Sequence, residues 1–248
     1  MINIHNKYKC YCYKVNNLQN KQVCIILRSL NYLHMQIIKS INNEGNPKRD
    51  ISDIQSVIIH HTGIDNGDSH NYLNRTDYIS AHFLIKKSGE VVQLMDLDVI
   101  AYHAGASSWK GLPSYGNSLN FCTIGIEVEG YKQYTDPQRA STKELVLELM
   151  NEFKIPSDLI LRHKDISPGR KIDIDDNFFN NQYGSWEEYQ KDLQFNLVAM
   201  SKYIEIMEQE VPEGERVFKS YEGEEGLCEK DVKALISIAM YRTKQELK

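Results

Sequence analysis

No apolar run in this 248-residue sequence approaches the roughly 18 residues that a membrane-spanning helix requires. The opening residues, MINIHNKYKCYCYKVNNLQN, carry cations but no apolar stretch behind them, so they do not read as a conventional secretory signal, and a cytoplasmic location is expected. A basic surplus is missing too. Its 29 basic and 34 acidic residues leave a formal charge of −5, which argues against a nucleic-acid partner. The five cysteines are odd in number and three fall within the first 24 residues, a poor basis for a disulfide framework. Cys10-x-Cys12 with His5 is half a metal motif at most, because its gap is short and no second pair follows. HExxH, paired Cys-x-x-Cys motifs, a glycine-rich phosphate loop and internal repeats are all lacking. Any chemistry must come from scattered residues.

What the chain does have is 41% hydrophobic residues, with 10% aromatics, enough for one large domain or one domain with extensions. Val23, Ile26, Leu27, Leu30, Leu33, Ile37 and Ile41 recur at helical spacing and predict an amphipathic helix over 20–42. NNEGNPKRD (42–50) then reads as a polar linker. SVIIHHTG is a short β-branched run that delivers His60 and His61 at a strand end. AHFLIKKSGEVVQLM reads as a hairpin turning at Ser88-Gly89, and CTIGIEVEG as a strand stopped by Gly130. Asp136 before Pro137 marks a helix start, with Leu145, Leu149 and Phe153 as its buried stripe. DLILRH is a further strand ending at His163, and from Ser185 the pattern is helical again. The expected fold is α/β: a central mixed β-sheet flanked by helices, with helical N- and C-terminal extensions. Its divisions are an extension and linker over 1–50, the core domain over 51–180 and a helical extension over 181–248.

Of eight histidines, His60, His61, His82 and His163 sit at strand ends or beside turns of this core. LRHKDISPGRKID (161–173) adds Asp173 after a Pro168-Gly169 turn that can fold the carboxylate back toward His163. Two histidines and a carboxylate form a ligand set that leaves zinc an open position. Hydrogen-bonded core histidines and a solvated acidic turn are the plain alternatives, and spacing alone does not choose between them.

VIIHHTG, SAHFLI, AYHAGASSWKG, TIGIEVEG and RHKDISPGRKID, in this order, resemble the zinc-dependent N-acetylmuramoyl-L-alanine amidases of the type 2 family. The resemblance covers about residues 54–180. It implies a zinc ion held by His60, His163 and Asp173. Glu127 takes the place of the catalytic acid/base and Lys171 that of the oxyanion's electrostatic partner; His103 and Arg170 are implied as substrate contacts. His61 and His82 are expected to pack around the site, and Glu129, two residues from Glu127 on the same strand face, to support it. Such a protein is expected to be a monomer that acts on peptidoglycan or muropeptides, either as a recycling enzyme or as a lysin released through a holin. A non-catalytic muropeptide-binding module and a zinc peptidase of the stem peptide are the competing expectations. Two departures stand out: Asp173-Ile174-Asp175 replaces the family's Asp-Pro-Gly, which makes Asp175 a rival ligand, and Ala81 stands where the phage lysozymes have tyrosine. Residues 1–34 match nothing in the family and are expected to be dispensable.

Overall fold

The computed structural model describes residues 11–14, 22–25, 36–64, 68–74, 79–210 and 217–218. The chain divides into two compact units, one of residues 35–194 and one of 1–34 with 195–248. In the latter, β1 (Tyr11–Lys14) pairs antiparallel with both β2 (Gln22–Ile25) and β9 (Val217–Phe218). His5 and Cys10, most of residues 1–34 and the expected last helix near 228–247 lie outside the described residues, while Cys12 falls in β1.

The larger unit is built on a six-stranded sheet. Its members are β3 (Ile37–Lys39), β4 (Ser56–His61), β5 (Phe83–Ile85), β6 (Val91–Gln93), β7 (Thr123–Val128) and β8 (Ile160–Arg162), in the order β3-β6-β5-β7-β4-β8. The β5–β6 hairpin is antiparallel and every other pairing is parallel, so the sheet is mixed as expected. Central parallel strands are covered on both faces, which is why β4 and β7 read as near-continuous apolar runs. Val57, Ile58, Ile59, Ile124 and Ile126 are fully buried.

Helices α1 (Ser69–Leu73) and α2 (Asp136–Phe153) lie in connections between strands, and α3 (His163–Ile166), α4 (Asn177–Tyr183) and α5 (Trp186–Glu210) follow β8. The start of α2 is set one residue before Asp136. Thr135 Oγ1 accepts from Gln138 N while Gln138 Oε1 accepts from Thr135 N, a reciprocal cap, and Asp136 instead pairs with Arg139. Leu145 and Leu149 are buried on α2 as read from the sequence. None of the described helices is long and apolar enough to cross a membrane.

Within the helix expected over 20–42, the described residues are not helical. Gln22–Ile25 is a strand, and Ile37–Lys39 adds a parallel edge to β6 with Ile37 opposite Val91. Short apolar runs carry little periodicity, and here β-branched residues beside a free sheet edge win. Nor is the 42–50 segment a loose tether. Arg49 is buried, and its guanidinium donates to the carbonyls of Leu97, Asn120, Phe121 and Thr123. Burial lowers its pKa to about 10.

Candidate metal centre

Three separate segments deliver the site. His60 is the fifth residue of β4, and His163 follows the last residue of β8, its neighbour in the sheet. Asp173 returns after a tight turn in which Arg170 N and Lys171 N both bond to Ser167 O. Gly169 sits there at φ 77°, a conformation glycine adopts without a Cβ clash. Lys164 N then donates to Asp173 O at 2.6 Å and fixes the return.

The result is a buried cluster. His60 Nδ1 lies 2.8 Å from His163 Nδ1, and Asp173 Oδ2 lies 3.3 Å from the first and 2.9 Å from the second. Exposure of the three residues is 1%, 3% and 7%. His163 Nε2 faces the Ala104 carbonyl at 3.0 Å, which can only accept, so a neutral His163 ring presents its Nδ1 lone pair to the cluster. Lone pairs this close repel one another unless a positive charge lies among them. Two imidazole nitrogens and one carboxylate oxygen are a donor set suited to zinc, so the residues fit the ion that the sequence motifs imply.

Burial dominates the electrostatics. It lowers the His60 pKa to about 4, against the opposing pull of the Asp173 carboxylate. Burial alone would raise Asp173, but the adjoining His163 and His60 rings outweigh that and hold it below the usual carboxylate range. Glu127, opposite His60 on β7, is pushed up to about 8 by burial and by the charge of Asp173, with Lys171 pulling the other way. Its Oε2 is buried without a hydrogen-bond partner. A carboxyl so placed is unsatisfied until something polar enters beside it.

The other expected residues divide. Lys171 is half-buried, exerts its charge on both His60 and Glu127, and forms no ion pair among the described residues. Glu129 Oε2 accepts from Lys87 N, so that carboxylate is committed to the β5–β6 hairpin. Asp175, the expected rival ligand, is engaged elsewhere: it accepts from Tyr134 Oη at 2.7 Å and from Asn177 N at 3.0 Å. His82 is fully buried, accepting from Gly125 N and packing against His103, while His61 packs edge-on to Tyr131.

His103 and Arg170, expected to contact substrate, are otherwise engaged. His103 is buried with one ring nitrogen 2.9 Å from His60 Nε2 and the other 3.1 Å from Thr123 Oγ1. Arg170 Nη2 donates to the carbonyls of Ala104 and Ala106 and to Ser167 Oγ, strapping the loop after His103 to the turn before Asp173. The sequence reading missed Asn120 and Thr123, which hold His103 in place; the one available signal was Gly125, a glycine in the middle of an apolar strand.

The part of the chain that carries these residues has known relatives. Residues 50–175 match the family model described as N-acetylmuramoyl-L-alanine amidase. The 1,6-anhydro-N-acetylmuramyl-L-alanine amidase AmpD of Haemophilus influenzae is 40% identical over 114 residues, 45% of this chain and 56% of that protein. AmpD of Salmonella typhimurium is 31% identical over 149 residues, 58% of this chain and 72% of that protein. The match thus spans little more than half the length of the Haemophilus relative. A crystal structure of a selenomethionine derivative of AmpD shares the fold, with a TM-score of 0.52 at 24% identity over 65% of this chain and 96% of that one.

Proposed function

Because the chain belongs to the N-acetylmuramoyl-L-alanine amidase family, we propose that it hydrolyses the amide between N-acetylmuramic acid and L-alanine, with zinc as its cofactor. The observation that carries this reading is the convergence of His60 Nδ1, His163 Nδ1 and Asp173 Oδ2 beside the buried, unpartnered Glu127 carboxyl. Those three atoms would hold the ion, which when bound supplies Lewis-acid polarisation and a nucleophile at neutral pH.

The chain's own groups do the rest. Glu127 accepts the proton of the attacking water and returns it to the leaving amine. A carboxyl whose pKa burial moves toward neutral pH is matched to both transfers, ionised to accept the proton and neutral to return it. The Lys171 ammonium opposes the negative charge that develops on the carbonyl oxygen in a largely desolvated pocket. Arg170 and His103 serve the shape of the site and leave substrate contact to other groups. Muropeptides carrying a 1,6-anhydro sugar, named for the AmpD relatives, are the proposed substrates.

Mass spectrometry of digested anhydro-muropeptides and intact peptidoglycan tests the reading. Amidase action releases a peptide whose free N-terminus is L-alanine, whereas a stem-peptide peptidase leaves L-alanine on the sugar. Binding with no cleavage by the zinc-loaded protein would mark a recognition module instead. Metal analysis should find close to one zinc per chain, lost in His163→Ala. Full occupancy in His60→Ala/His163→Ala would overturn the ligand assignment.

A further inference from the structure

We propose that one dipeptide, His103-Ala104, sets the ring tautomers of both histidines of the metal centre, with Thr123 and Asn120 as its anchors. This rests on reading the site as a metal centre, and its logic is a count of hydrogens. Thr123 Oγ1 has one hydrogen, which goes to the Leu119 carbonyl at 2.8 Å because a carbonyl can only accept. Toward His103 Nε2, at 3.1 Å, the same oxygen can therefore only accept, and His103 Nε2 carries the proton. In a buried neutral ring the other nitrogen, Nδ1, is then a lone pair. It faces His60 Nε2 at 2.9 Å and accepts from it, so the proton of His60 is held on Nε2 and its Nδ1 is bare.

The backbone of the next residue does the same for the second histidine. The Ala104 carbonyl accepts from His163 Nε2, which leaves Nδ1 bare when that ring is neutral. Both nitrogens point into the cluster 2.8 Å apart, and Asp173 Oδ2, 2.9 Å from His163 Nδ1 and 3.3 Å from His60 Nδ1, is the acceptor that competes for the two protons in the metal-free protein. Asn120 Oδ1 locks the dipeptide by accepting from both His103 N at 3.1 Å and Ala104 N at 2.7 Å. Gly125 is the space this arrangement requires: a Cβ there would stand 2.4 Å from His103 Cγ. His103 and Thr123 are thus positioning residues that act on the metal through His60. Partners of this kind typically tune metal affinity by about 10–100-fold.

The test uses the full chain. Nitrogen-15 imidazole spectra of the EDTA-treated protein at mildly alkaline pH should show both His60 and His163 protonated on Nε2. Thr123→Val keeps the side-chain shape but removes the hydroxyl; it should shift His60 toward the Nδ1–H form, leave His163 unchanged and weaken zinc binding by about 10–100-fold in a chelator competition. Thr123→Ser should restore both readouts. His60 found protonated on Nδ1 in the wild type would overturn the proposal, as would wild-type zinc affinity in Thr123→Val. Should Thr123→Val not fold, the wild-type spectra still decide. Wild-type protein that shows the two tautomers yet binds no zinc would sink the metal reading and leave the tautomer assignment standing.

Discussion

His60 and Glu127 stand directly opposite one another on the adjacent parallel strands β4 and β7. Paired residues of neighbouring strands project to the same face about 4.8 Å apart, so one sheet step sets a metal-facing imidazole beside a buried carboxyl. Glu129 lies past the end of β7 and is tied to Lys87 N. Glu127→Gln should lower single-turnover amide cleavage by about 10²–10⁴-fold while zinc content stays at the wild-type level. Glu129→Gln keeps an accepting oxygen for Lys87 and should leave turnover nearly unchanged. Measuring both variants on a muramyl-peptide decides which glutamate acts; the reverse pattern would mean that the proton passes through Glu129.

Lys171→Met removes one cation that acts on His60 and Glu127 without touching a proposed ligand. By analogy with the loss of an oxyanion-stabilising donor, cleavage should slow by about 10²–10³-fold. Zinc affinity should not weaken, since the loss of a nearby positive charge does not oppose a cation. Equal turnover in wild type and variant would remove Lys171 from the mechanism.

The folded-state pKa of Glu127 is raised from 4.5 to about 8, so the folded protein holds a proton that the unfolded chain releases. That contribution to stability is fully present below pH 4.5 and is lost as pH rises through about 8. His60, lowered from 6.5 to about 4, acts in the opposite sense: its contribution is present above 6.5 and lost as pH falls through about 4. In EDTA-treated protein, Glu127→Gln should therefore become progressively more stable relative to wild type as pH rises from 4.5 to 8. The gain should be on the order of a few kcal/mol by chemical denaturation. A constant difference across that window would show that Glu127 is not held protonated.

Arg49→Leu should destabilise the fold by about 2–4 kcal/mol in a denaturant titration, because the carbonyls of Leu97, Phe121 and Thr123 lose their buried donor. Turnover per folded molecule should fall less than for Lys171→Met. A loss below about 0.5 kcal/mol would mean that water replaces the guanidinium there.

Much of the site was legible before any coordinates. The β-branched run ending in His60, the alternating strand carrying Glu127 and the Pro168-Gly169 turn ahead of Asp173 are local patterns. Backbone stereochemistry and burial set those patterns within a few residues of chain. The hairpin at Ser88-Gly89 and the start of α2 near Asp136 were readable for the same reason. The edge strand Ile37–Lys39 was not, since its conformation is decided by pairing with β6, more than fifty residues further along.

The sequence by itself determined which residues are able to bind a divalent cation and in what order the strands that carry them occur. Only the tertiary structure decided what each polar group does. It turned Asp175 away to Tyr134, buried Arg49 of the polar 42–50 segment among carbonyls, and placed His103 and Arg170 in the framework of the site. The physical reason is that a buried donor or acceptor must be satisfied by whatever the fold brings within about 3 Å, and those partners here lie tens of residues away. Composition and spacing name the candidates; long-range hydrogen bonding assigns their roles.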